Sequence, residues 1–160
     1  MIGVSAADES AMVLAIEEAA LGGGEGEIPI GAVVLGPEGD VIARAHNERE
    51  AAHDPTAHAE VLVLRRAATL LGRWRLDDCT LVVTLEPCPM CAGAVVMSRI
   101  PRLVFGAWND EYGAAGSRWD LVRDRRLTSR TEVIGGLMAD ECGAMVRTFL
   151  EAQRPAREVQ

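Results

Sequence analysis

The residues with most chemical content fall in two short clusters. One is His58-Ala59-Glu60; the other is Cys88-Pro89-Met90-Cys91, preceded by Pro87. Cys88 and Cys91 are three apart, so at a helix start they share one face. The positive end of a helix favours thiolate over thiol. Pro89 suits the first turn, where its missing N–H costs nothing. Two thiolates and an imidazole, from His58, are a good donor set for zinc. Three protein ligands leave one tetrahedral position for water, which marks a catalytic rather than a structural site. Zinc brings the pKa of bound water down to about 7. Glu60 is two residues from His58 and points to a different side of a helix. Its expected place is beside the water, as general base and then general acid.

Other chemistries fit less well. A lone C-x-x-C can be a redox pair, but His-x-Glu at another helix start is not part of that pattern. A structural zinc site would need a fourth ligand. His46, His53, Cys79 and Cys142 are available, but none has paired spacing. Cys79 and Cys142 read as buried core thiols, and His46 and His53 as loop histidines.

Alternating elements must position these clusters. Apolar residues at Met12, Val13, Ile16, Ala19 and Ala20 give a helical period over Ser10 to Leu21. Ser5, Asp8 or Ser10 could cap it, and Gly22-Gly23-Gly24 should end it. Ile30–Leu35 and Val41–Ala45 flank a Gly-Pro-Glu-Gly-Asp turn and predict a hairpin. Asp54 or Thr56 should cap a helix that runs to about Leu71, where Gly72 stops it. Strands are expected at Cys79–Leu85, Leu103–Ala107 and Thr131–Ile134. A helix from Met90 to about Ser98 is apolar nearly all round, which predicts burial. A closing helix covers Asp140 to about Gln153. Together these predict one three-layer α/β domain over residues 1–153 with a mixed sheet of about five strands, and a frayed tail at 154–160.

Composition bounds the function. The 160 residues carry 16 basic and 24 acidic side chains, a net charge of −8. That balance argues against indiscriminate nucleic-acid binding, though a local basic face could serve. All sixteen basic residues are Arg, and seven lie within residues 99–130 against four acids. Trp108, Tyr112 and Trp119 stand among them, beside Arg118, Arg123, Arg125 and Arg126. Stacking rings with cations are how single-stranded RNA is held. No apolar run is long enough to span a bilayer. Met1 to Asp8 lacks the basic and apolar segments of a signal peptide, which points to the cytoplasm.

The paired H-x-E and P-C-x-x-C clusters are the signature of zinc nucleobase deaminases. Nearly the whole chain resembles the bacterial tRNA-specific adenosine deaminases, within the cytidine-deaminase-like α/β/α fold. The specific stretches are Asp54-Pro55-Thr56-Ala57-His58-Ala59-Glu60, Val83 through Ala94, Ser98-Arg99-Ile100 and Gly113-Ala114-Ala115-Gly116-Ser117. The resemblance implies a homodimer with one Zn2+ per chain, converting adenosine to inosine at the wobble position of a tRNA anticodon loop. His58, Cys88 and Cys91 map onto the zinc ligands and Glu60 onto the proton shuttle. Asn47 maps onto an asparagine that contacts the target nucleotide, and Ile28 and Pro29 onto a loop that edges the base pocket. Asn109 stands where the family usually has Asp, near the sugar–phosphate backbone. Thr128-Ser129 replaces a common Asn-His, and the C-terminal helix is less basic than usual. These departures touch the RNA contacts and keep a second reading open, a deaminase of a free nucleobase, nucleoside or specialised metabolite.

Overall fold

The computed structural model describes residues 3–154. Helix α1 (Ala6–Gly24) starts at Ser5, whose hydroxyl accepts from the Asp8 N–H while Asp8 accepts from the Ser5 N–H. This reciprocal cap satisfies two N–H groups that a helix start leaves open. The helix runs through Gly22-Gly23-Gly24 rather than ending before them. The N–H groups of Glu25, Gly26 and Glu27 turn back onto the Gly22 and Gly23 carbonyls and hold that last turn.

A hairpin follows, β1 (Gly31–Leu35) and β2 (Val41–His46). The short helix α2 (Arg49–Ala52) was not foreseen. Its first N–H groups are held by the buried Glu27 carboxylate, which accepts from Glu50 at 2.8 Å and Ala51 at 3.0 Å. A cap from over twenty residues away leaves no local signal. Helix α3 (Ala59–Leu71) begins at Ala59, not at Asp54 or Thr56. Asp54 spends its carboxylate on the Thr56 N–H and hydroxyl, closing a turn before the helix. Then come β3 (Thr80–Leu85), α4 (Pro89–Met97), β4 (Arg102–Ala107), β5 (Glu132–Gly135) and α5 (Ala139–Gln153). Of the expected tail, Arg154 follows α5 and residues 155–160 lie outside the described residues.

The sheet order is β2-β1-β3-β4-β5. β1 is antiparallel to β2 and β3, whereas β3, β4 and β5 are mutually parallel, so the sheet is mixed. Helices cover both faces. Ala32, Val34, Leu81, Val83, Leu103 and Phe105 pack under α3 and α4. The alternate residues Val33, Leu35, Val82 and Val104 pack under α1 and α5. Period-two alternation places successive side chains on opposite faces, so a strand covered twice is apolar throughout. Cys79 and Cys142 sit one in each layer, as expected of core thiols. Arg102, at the start of β4, makes a two-pronged contact with Asp8 and ties α1 to the sheet.

Helix α4 is less enclosed than its composition predicts. Cys91, Ala92 and Val95 are buried, but Met97 is 66% exposed. One face packs on the sheet and α3; the other, among the described residues, leaves Met90 and Met97 exposed.

Candidate metal centre and active-site cavity

His58 and Cys88 hold equivalent positions. Each is the extended residue immediately before a helix, α3 and α4 respectively. Their carbonyls accept the first bonds of those helices, from Leu62 and Ala92. Such positions usually hold a side chain that caps the helix, yet neither side chain does so. They point at each other instead. The His58 Nδ1 atom lies 3.7 Å from the Cys88 sulfur and 3.4 Å from the Cys91 sulfur. One donor atom from each residue falls within 4.8 Å of the others. The cap that α3 needs comes from Asn47, whose Oδ1 accepts from the Ala59 N–H at 2.9 Å.

The electrostatics ask for a cation. Hydrogen bonds from Cys91 and His58 pull the Cys88 thiol down to about 4 despite burial. The contact with Cys88 in turn raises His58, against burial. Cys91 is driven far up by the neighbouring Cys88, by burial and by Glu60. Burial pushes the Glu60 carboxyl up to about 7. Two sulfurs and a carboxyl crowded together cannot all carry charge unless a positive ion joins them. Among the described residues, Glu60 Oε2 is the one buried side-chain oxygen or nitrogen without a hydrogen-bond partner. Buried polar groups are otherwise paired. An acceptor left open beside a sulfur–nitrogen triplet is what a zinc site with a water position requires. His58, Cys88 and Cys91 therefore form a group that fits one zinc ion.

Above this floor opens a cavity of about 820 Å³. Its size is within the range of small-molecule sites. Ile28 and Ile30 wall one side, and Trp108, Asn109 and Tyr112 another. Arg49, from α2, and Arg147, from α5, also line it. Neither arginine is in an ion pair among the described residues.

Several expected residues land differently. Asn47 is 3% exposed and does not line the cavity. Its Nδ2 donates to the Ile28 carbonyl at 3.3 Å, so it joins the Ile28 wall to the start of α3. Pro29 is buried behind Ile28 and packs toward Gly23. Asn109 lines the cavity, and its Oδ1 accepts from the N–H groups of Glu111 and Tyr112. Arg118, Arg123, Arg125 and Arg126 do not line it. Arg123 is paired with Asp120 and Arg126 with Asp124. His46 closes β2 rather than sitting in a loop, its ring nitrogens facing Glu18 and Glu25.

Sequence reasoning missed Glu86. It is 1% exposed, and its two oxygens accept from the N–H groups of Asn109, Ala115 and Ser117, all at 3.0 Å. The loop between β4 and residue 117 is folded around this carboxylate. The available signal was a lone acid closing the apolar strand β3, immediately before the Pro87-Cys88 pair. Glu27, which gathers α2, sits among glycines and acids and carries no such signal.

Comparison with known proteins agrees with this site. Residues 5–107 match the family model described as the cytidine and deoxycytidylate deaminase zinc-binding region. The chain is 46% identical over 151 residues to a tRNA-specific adenosine deaminase of Bacillus subtilis, covering 94% of this chain and 93% of that one. A protein of the same name from Haemophilus influenzae is 42% identical over 153 residues, covering 96% and 88%. A solved structure from work on A-to-I editing by tRNA:A34 deaminases superposes with a TM-score of 0.81 at 40% identity, over 85% of this chain and 98% of that one. A guanine deaminase from Nitrosomonas europaea superposes with a TM-score of 0.77 at 25% identity, over 93% and 86%. A metal-ready triplet at two helix starts, an open carboxylate beside it and this depth of likeness place the chain in the zinc-binding cytidine and deoxycytidylate deaminase family, among its tRNA-specific adenosine deaminases.

Proposed function

We propose that this protein hydrolyses adenosine to inosine at the wobble position of a tRNA anticodon loop, releasing ammonia. The observation that carries the chemistry is the open, buried Glu60 oxygen beside His58, Cys88 and Cys91. Those three side chains hold one zinc per chain, which supplies a Lewis acid that makes water nucleophilic near neutral pH. Glu60 takes a proton from the attacking water and passes it to the purine ring. It then delivers a proton to the departing amino group, so that adenosine and water become inosine and ammonia. Burial suits Glu60 to both roles, because a carboxyl near neutrality gives and takes protons readily. Ile28 presents an apolar edge to the base, while Pro29 and Asn47 set that edge from behind. Asn109 offers its amide nitrogen to the sugar–phosphate backbone, since its oxygen is engaged in the turn.

We read residues 1–153 as one deaminase domain acting in the cytoplasm, where its substrate is handled. Among the described residues, no helix is long and apolar enough to cross a membrane. We read the active form as a homodimer. Exposed Leu70 on α3, Trp74 in the loop between α3 and β3, and Met97 on α4 are apolar surface that a second copy would cover. Light scattering at micromolar concentration tests that reading, and a monomer mass refutes it. The second reading, deamination of a free base or nucleoside, is favoured by the likeness to a guanine deaminase. Ammonia release from tRNA, adenosine, guanine and cytosine, measured in parallel, separates the two. Sequencing of inosine in the treated tRNA then locates the edited position.

A further inference from the structure

Trp108 combines properties that rarely coincide. Its side chain is 49% exposed, yet it is locked in place. The indole meets the buried Phe105 ring edge to face, with centroids 4.8 Å apart and an interplanar angle of 88°. One glycine clears space for it, and a second lies in contact with it. A Cβ on Gly135, at the end of β5, would come within 2.8 Å of the indole and 2.5 Å of Phe105. A Cβ on Gly116 would come within 3.4 Å of the indole, at a φ of +143° that side chains rarely adopt. The backbone is fixed on both sides by one residue. The Glu86 N–H donates to the Ala107 carbonyl at 2.8 Å, and the Glu86 carboxylate accepts from the Asn109 N–H at 3.0 Å.

Trp108 lines the same cavity as His58 and Glu60. Tyr112, 62% exposed, lines it too, with its N–H held by Asn109. A rigid aromatic face loses little entropy on contact, and every base has a face to stack. With the target base at the floor, its neighbours along the strand must pass the rim. Arg49 and Arg147 there supply cations for the intervening phosphates. Trp119 is a natural control, since it is 48% exposed but does not line the cavity.

We propose that Trp108 is a preorganised stacking platform for the base that flanks the target adenosine in a single-stranded RNA loop. This assignment rests on the deaminase reading above and adds to it a source of sequence-context preference. A purine neighbour, with the larger face, stacks better than a pyrimidine.

The test is a cycle between protein and RNA. kcat/KM is measured on an anticodon stem-loop and on two versions with an abasic site, immediately 5′ or 3′ of the adenosine. Trp108→Ala should lower kcat/KM on the intact loop on the order of ten-fold, mainly through KM. One of the two abasic loops should be lowered similarly for the wild type. In Trp108→Ala that abasic site should cost nothing further, because the partner is already gone. Trp108→Phe, which keeps an aromatic face, should retain most of the activity. Trp108→Leu, which fills space without one, should not, and circular dichroism and zinc content confirm that both variants are folded. Trp119→Ala should leave the cycle unchanged. Effects that multiply at both neighbours, or Leu serving as well as Phe, overturn the proposal while the deaminase reading stands. A wild type that deaminates none of the loops overturns both.

Discussion

At the floor of the cavity, His58 and Cys88 each precede a helix packed on the sheet. At the rim, Trp108, Asn109 and Tyr112 ride on a loop with no regular hydrogen-bond ladder of its own. The floor inherits its precision from α3 and α4, whose first turns fix where the imidazole and sulfurs point. The rim gains order from a buried carboxylate, Glu86, that collects three N–H groups no strand or helix would satisfy. Leaving those groups unpaired would cost about 1–3 kcal/mol each. Chemistry common to many deaminases can therefore sit on regular structure, while the surface that meets a particular substrate sits on a loop.

The sharpest break of this contrast comes at the floor. Cys88→Ala and Cys91→Ala should lose the metal, all measurable turnover and much stability, because metal binding and folding are linked. Elemental analysis and thermal melts check this, and full zinc occupancy in both variants would remove the triplet from the metal site.

Next in size is Glu60→Gln, which should keep one zinc per chain and the fold. Turnover should fall by about 10²–10⁴-fold, the usual contribution of a general acid–base group. Gln is neutral and nearly the same shape, so the melting temperature should change little. A variant with a tenth of wild-type turnover would show that Glu60 is not the proton carrier.

A rim change should look different. Glu86→Gln keeps one acceptor but turns an NH2 group toward backbone donors. We expect KM for a stem-loop RNA to rise on the order of ten-fold, from the loss of one or two hydrogen bonds, with kcat changed less and zinc retained. If kcat fell with zinc content instead, floor and rim would be one unit and the contrast would be lost.

Salt dependence comes lower in size. Arg49→Gln with Arg147→Gln should reduce the slope of log affinity against log salt by up to about 1.4, at about 0.7 per single-strand phosphate contact. Arg123→Gln with Arg126→Gln should reduce it less, since each of those arginines already faces its own aspartate. The opposite ranking would move the RNA path off the cavity.

The smallest expected effect is at Asn109. Asp at this position would keep the oxygen that caps the turn, remove the amide donor and add a negative charge. A carboxylate prefers a 2′-hydroxyl donor and repels bare phosphate, so Asn109→Asp should raise the RNA-to-DNA ratio of kcat/KM a few-fold. Matched RNA and DNA hairpins measure it, and an unchanged ratio would leave Asn109 as a turn residue alone.

The grouping of His58, Cys88 and Cys91, with Glu60 beside them, could be read from the chain because each motif is local. Residues two or three apart at a helix start have their relative directions set by helical geometry, whatever lies around them. The five strands and the long helices were legible for the same reason, since period two and period 3.6 are written in consecutive residues. The boundaries that moved were set by distant partners. Glu27 holds α2 from more than twenty residues away, and Asn47, not Asp54 or Thr56, caps α3. The arginine-rich stretch reads as a local basic face by composition; folding pairs Arg123 and Arg126 with nearby aspartates and places Arg49 and Arg147 at the cavity. Glu86 and the seat of Trp108 were legible only in part, because a buried carboxylate and a cleared glycine acquire meaning from what folds around them. Sequence alone determined the elements and the metal chemistry, which depend on near neighbours. The rim, its charges and the platform it offers a base were decided by tertiary structure, which joins residues that no spacing rule connects.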